Sequence, residues 1–120
     1  MAETAYNQYF ESEILNADPV KLVTILYRAA IEAAGAARRN LAAGAIRERS
    51  RQIMKTWSII HQLMQSLDRT QESEIRRGLV ALYAYMQTRL LEANANQADP
   101  PLEEVQKLLA TLLEGWQVNM

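Results

Sequence analysis

Residues 18–44 read DPVKLVTILYRAAIEAAGAARRNLAAG and predict a long amphipathic helix. Asp18 can accept a hydrogen bond from a first-turn N–H, and Pro19 suits the first helical position because no N–H is needed there. Apolar residues then recur in helical steps of four and three, at Leu22, Leu26, Ala29, Ala33 and Ala36. Gly44 is a suitable stop. We place this first helix at about residues 18–43.

Three further helices are predicted at about residues 45–67, 71–96 and 100–118. The polar run Asp68-Arg69-Thr70-Gln71 separates the second from the third, and Asp99-Pro100 repeats the start signal of the first helix. Short connections place sequential helices side by side and antiparallel. The sequence therefore predicts an all-α fold, an antiparallel up-down four-helix bundle over residues 18–120, preceded by an N-terminal arm over residues 1–17.

Composition argues against catalytic chemistry. The 120 residues include no cysteine and one histidine, His61, so neither a thiolate site nor a His-rich metal site is expected. The net charge of −1, from 13 basic and 14 acidic side chains, does not favour nucleic-acid binding. The basic run from Arg47 to Lys55 is interpreted as a solvated helix face. We expect a cytoplasmic protein that is not an enzyme, holds no metal or other cofactor, and does not insert into a membrane.

The second and third helices carry more apolar residues than a bundle needs. Ile53, Trp57, Ile60 and Met64 are placed at the centre of the second helix's core stripe, with Ile59 and Leu63 on its flank. On the third helix, Val80 and Leu91 lie off the main stripe and Tyr85 lies on its opposite flank. These flanking residues either widen the core or line grooves that accept a partner's helices.

The arm is also apolar in part. Tyr6, Phe10 and Ile14 follow a spacing of four. We expect the arm to cover an apolar groove in the unbound protein.

A longer pattern in the third helix resembles a known family. It reads Leu79-x-x-Leu82-Tyr83-x-Tyr85-Met86-x-x-Arg89-Leu90-x-x-Ala93-Asn94. Matching pieces follow in order along the chain: Ala5-Tyr6-x-Gln8, Ala17-x-Pro19, Leu26-Tyr27, Leu67-Asp68, Glu104-Val105-x-x-Leu108-Leu109 and Trp116. Together they resemble FliS, the flagellin-specific export chaperone family.

The resemblance implies an antiparallel four-helix bundle that binds the disordered C-terminal segment of flagellin in the cytosol. Such a chaperone blocks premature polymerisation and delivers the subunit to the flagellar type III export gate. The expected contact residues are Ile59, Leu63, Val80, Tyr85 and Leu91 on grooves, with Tyr6 and Phe10 in the arm. Alternatives are a chaperone or adaptor for a different secreted substrate, or a nucleic-acid-binding helical bundle. A homo-oligomer is possible when the partner is absent.

Overall fold

The computed structural model describes residues 18–67 and 73–118 and folds them into four helices. The helices are α1 (Pro19–Ala42), α2 (Ile46–Gln65), α3 (Glu74–Asn96) and α4 (Asp99–Val118). The predicted arm, with Tyr6 and Phe10, lies outside the described residues.

Local side-chain chemistry sets the ends of the helices. The Asp18 carboxylate accepts a 2.8 Å hydrogen bond from the Lys21 N–H at the start of α1. Ser73 does the same for α3, accepting from the Arg76 N–H at 3.0 Å. Left-handed residues terminate two of the helices: Gly44 (φ 71°) follows α1, and Gln97 (φ 50°) follows α3.

Each helix packs against two neighbours. α1 lies beside α2 and α4, and α3 lies beside the same two helices on the opposite corner. Two side-chain contacts confirm that α1 and α4 are antiparallel. Arg38 near the end of α1 pairs with Asp99 at the start of α4 at 2.8 Å, and the Trp116 indole donates to Thr24 at 3.1 Å. The predicted all-α, antiparallel four-helix bundle is therefore confirmed.

α1 approaches its neighbours most closely because, beyond Leu26 and Tyr27, its buried residues are small. Its buried small residues are Ala30, Ala33, Ala34, Gly35 and Ala37. A Cβ on Gly35 would lie 2.9 Å from the Gln106 side chain of α4, so an alanine there requires that side chain to move. The buried line runs through Ala30, Ala34 and Ala37 rather than the expected Ala29 and Ala36, because Tyr27 also points inward.

Large side chains from the other helices complete the core. The fully buried ones include Ile53, Ile60, Leu63, Met86, Leu90, Leu102, Val105 and Leu109. Most are aliphatic, and their burial is the main source of stability.

One polar interaction crosses this core. The hydroxyls of Tyr27 in α1 and Tyr83 in α3 are 2.6 Å apart and form a buried hydrogen bond between diagonal helices. Burial raises the pKa of both tyrosines. Because the folded state resists their ionisation, the contribution of this pair to stability is complete below the ordinary tyrosine pKa of about 10 and is lost as the pH rises from there through the higher folded-state pKa.

Removing one of these hydroxyls should destabilise the fold at least as much as removing both. Y83F leaves the Tyr27 hydroxyl buried without its partner, so we expect a loss of about 1–2 kcal/mol in the free energy of unfolding. Y27F/Y83F removes both groups and should cost no more than either single change. Urea denaturation of the four proteins measures this cycle. Additive losses in the double variant would contradict a hydrogen bond between the two residues.

Candidate partner-binding face

The inward side of α2 is rotated relative to the sequence prediction. Ile59 is 4% exposed and Leu63 is 1% exposed, so both belong to the chain's own core. They lie on the same side of α2 as buried Thr56, whose hydroxyl donates to the Gln52 carbonyl at 2.8 Å. Ile59 and Leu63 therefore widen the core in this fold, which is one of the two interpretations that the sequence leaves open, and their contact with a partner stays a prediction.

The same rotation moves two expected core residues outward. Trp57 and Met64 are half-buried at the edge of the core rather than at its centre. The Trp57 ring stacks on His61 with 5.3 Å between the ring centroids and 10° between their planes. The edge of α2 that adjoins α3 is therefore partly open.

The facing edge of α3 is also apolar. Gln87 identifies it, because its side-chain amide donates to the Trp57 carbonyl of α2 at 3.4 Å. Val80, Ala84 and Leu91 share that edge at helical spacing, with Val80 half-buried and Leu91 48% exposed. On α2, Met54 is 43% exposed one turn before Trp57.

We call the resulting surface the α2–α3 face. It is defined by Met54, Trp57, His61, Met64, Val80, Ala84, Gln87 and Leu91. A hydrogen bond from the Ser50 hydroxyl to the Asn94 amide oxygen, at 2.9 Å, ties the two helices together at one end of it.

The spacing of the helices keeps this face open. The backbones of α2 and α3 are less closely packed than those of α1 and α2. Large side chains separate α2 from α3, whereas alanines separate α2 from α1. A shallow apolar surface then runs between α2 and α3. Such a surface can accept the apolar side of another helix.

Tyr85 lies on the other edge of α3, against α4. Its hydroxyl donates to Glu104 Oε1 at 2.6 Å, and Arg89 Nε donates to the same oxygen at 2.8 Å. Arg89 also pairs with Glu92 at 2.7 Å. Tyr85 is thus a tie between α3 and α4 with an exposed ring, and it is separate from the α2–α3 face.

These contacts change the acidity of the groups involved. The Tyr85 hydroxyl and then the Arg89 guanidinium hold the pKa of Glu104 below its usual value. The hydrogen bond to Glu104 raises the pKa of Tyr85 in turn. Glu103, one residue earlier, also has a lowered pKa, owing first to Lys107 and then to Arg38.

The predicted site residues therefore separate into distinct places. Val80 and Leu91 lie together on the α2–α3 face, Tyr85 lies on the opposite edge of α3, and Ile59 and Leu63 lie in the core. The predicted contact residues do not include the α2 side of this face, which is formed by Met54, Trp57, His61 and Met64. The sequence signal for the α2 side is the run of alanines in α1. Because small residues allow α2 to approach closely, the side of α2 next to α1 is buried and the Trp57 edge is left at the border of the core.

Two further observations concern other kinds of site. Within residues 18–67 and 73–118, no group of three or more His, Cys, Asp or Glu residues is placed to hold a metal ion. None of the helices described here combines the length and apolarity needed to cross a bilayer.

The Glu104 contacts predict an acid-dependent contribution to stability. A depressed folded-state pKa means that this contribution is complete above the ordinary glutamate pKa of about 4.3 and is lost as the pH falls through the lower folded-state value. E104Q should therefore be less stable than wild type at pH 7 and lose less stability on acidification. Urea denaturation at pH 7, 5 and 3.5 tests this, with E114Q on exposed α4 surface as control. An unchanged pH dependence in E104Q would contradict it.

Comparison with known proteins agrees with this architecture. The family model described as "Flagellar protein FliS" matches residues 1–120. The flagellar secretion chaperone FliSB of Pseudomonas aeruginosa is 33% identical over 119 residues, covering 96% of this chain and 94% of the relative. The flagellar secretion chaperones FliS of Salmonella typhimurium and Escherichia coli are 34% and 30% identical, covering 89% and 92% of this chain and 80% and 82% of the relatives. The chain belongs to the FliS family.

Proposed function

We propose that the chain is a cytoplasmic export chaperone that binds the C-terminal segment of flagellin, prevents its premature polymerisation and delivers it to the flagellar type III export apparatus. Family membership supports this proposal, as do relatives named as flagellar secretion chaperones. The observation that carries the binding step is the apolar α2–α3 face.

The chemistry of the face suits a helical ligand. An amphipathic helix presents apolar side chains about one turn apart. Met54 and Trp57 lie one turn apart on α2, and Val80, Ala84, Gln87 and Leu91 follow one another at steps of about one turn on α3. Met54 and Met64 have flexible thioether side chains that adapt to irregular ligand surfaces. Trp57, fixed against His61, provides a rigid aromatic surface between them.

The thermodynamics suit temporary binding. A disordered segment loses conformational entropy when it orders on the face, and this loss offsets part of the gain from apolar burial. The complex then dissociates more readily than its buried area alone would indicate. A chaperone that must release its substrate for export requires this balance.

Contacts outside the face remain part of the proposal. Tyr6 and Phe10 of the arm are proposed to cover apolar surface until flagellin binds, and Tyr85 is proposed to contact the bound segment on the α3–α4 edge. Ile59 and Leu63 act from within the core, where they fix the orientation of α2. Self-association through the same apolar surface is the competing arrangement in the absence of substrate.

Charged substitutions on the face should weaken binding without unfolding the protein. Met54 and Leu91 are exposed, so M54D and L91D should keep wild-type helicity and unfold within about 0.5 kcal/mol of wild type. Each should weaken binding of a flagellin C-terminal peptide by at least about tenfold, because a carboxylate would be desolvated in an apolar contact. Isothermal titration calorimetry measures the effect.

V118D is the matched control, since Val118 is 80% exposed in the last turn of α4 and lies away from the face. L63D is unsuitable, because a carboxylate at that buried position should unfold the bundle. Equal affinities for wild type, M54D and L91D would reject the face as the binding site. Failure of wild type to bind the peptide would reject flagellin and favour a different secreted substrate.

A further inference from the structure

Charge is divided unevenly among the helices. α2 has one acidic side chain, Glu48, and four basic ones: Arg47, Arg49, Arg51 and Lys55. α1 also carries four basic side chains against one acidic, whereas α4 carries four acidic against one basic. A chain with a net charge of −1 therefore has two adjacent positive helices, which favour an anionic ligand.

The start of α2 differs from the starts of α1 and α3. Ala45 occupies its N-cap position and makes no side-chain cap hydrogen bond. The first-turn N–H groups and the helix dipole leave partial positive charge at this end. Glu48 lies in that turn, but its carboxylate is paired with Arg51.

Arg49 provides the observation that points to a ligand. It lies one turn into α2, is 4% exposed, and has a buried Nε without a hydrogen-bond acceptor among the described residues. A buried N–H donor without an acceptor costs free energy, which an acceptor supplied by a ligand would recover. Arg49 is the fourth residue of α2 and helical side chains lean toward the N-terminus of their helix, so the buried Nε–H belongs to the same end of α2 as the uncapped first turn.

We propose that Arg49 and the first turn of α2 form a binding site for a single carboxylate, supplied by an acidic residue of the bound export substrate. This inference rests on the proposed function, because the carboxylate belongs to the segment held on the α2–α3 face. The site lies at the end of that face where Ser50 and Asn94 join the two helices. Arg49 then fixes the register of the bound segment. An apolar surface alone fixes that register only weakly.

A carboxylate fits this site better than a nucleic acid. A guanidinium binds a carboxylate through two parallel N–H···O hydrogen bonds. A nucleic-acid backbone instead requires several accessible cations along a groove. Arg49 is nearly enclosed, and the guanidinium of Arg51 is already paired with Glu48.

The test uses the full chain labelled with nitrogen-15. The Nε–H resonance of Arg49 is assigned by its absence from R49M. It is then followed during titration with a flagellin C-terminal peptide and with the same peptide carrying Asn and Gln in place of every Asp and Glu. Two further titrations use a single-stranded oligonucleotide and sodium acetate. Sodium chloride at equal ionic strength is the control for acetate. We expect the acidic peptide and acetate to shift the resonance, and the neutralised peptide and the oligonucleotide to leave it in place.

Affinities complete the experiment. R49M should bind the acidic peptide about ten- to a hundredfold more weakly and the neutralised peptide as wild type does, because only the charged hydrogen bonds are lost. R28M, which removes an exposed charge from α1, should change neither affinity more than about twofold. Free R49M should be at least as stable as wild type, since it removes a buried N–H donor that has no acceptor.

Several results would overturn the carboxylate site. One is an R49M protein that binds the acidic peptide normally or is markedly less stable, which would make Arg49 a structural residue. Another is a resonance that responds to the oligonucleotide but not to carboxylates. If neither peptide binds wild type, the proposed function fails, and the response to acetate alone decides whether the Arg49 site exists.

Discussion

The close approach of α1 to its neighbours is the constraint on which the rest of the structure depends. Small side chains line its inward side, so α2 and α4 pack against it with little space between backbones. α2 then directs Ile59 and Leu63 toward the interior, and its Trp57 edge turns toward α3. Because α3 is separated from α2 by large side chains, the apolar edge between them stays partly uncovered.

The residues that identify the family divide into two structural roles. Tyr83, Met86, Leu90 and Ala93 of α3 are buried in the core, where the Tyr83 hydroxyl meets Tyr27 of α1. A second group is polar and joins neighbouring helices: Tyr85 and Arg89 bind Glu104 of α4, and Asn94 binds Ser50 of α2. Both groups fix α3 in place, so the face beside it is a rigid surface on which a flexible segment can order.

The sequence predicted the fold well because helical spacing and helix-start residues are local signals. Asp18 and Pro19 begin α1 as expected, and the Lys21 N–H donates the predicted hydrogen bond to the Asp18 carboxylate. At the second such signal, Asp99 is the first residue of α4 and pairs with Arg38 through both carboxylate oxygens. That pairing depends on another helix and has no local signal.

The site was harder to predict because it depends on how each helix is rotated about its axis. Ile59 and Trp57 are both apolar, and α2 alone does not determine which of them faces inward. The alanines of α1 make that choice by drawing one side of α2 close. On α3 the sequence pattern puts Val80 and Leu91 off the main apolar stripe without deciding between core and groove, and in the structure Val80 is half-buried and Leu91 is exposed.

The methionines of the chain allow a direct test of the face. Met54 and Met64 of α2 lie on the face, whereas Met86 of α3 is fully buried in the core. Intermolecular nuclear Overhauser effects from methyl-labelled methionine to a bound flagellin C-terminal peptide measure which of them contact the ligand. The account predicts signals at Met54 and Met64 and none at Met86. A bound peptide that gives no signal at Met54 or Met64 would contradict it.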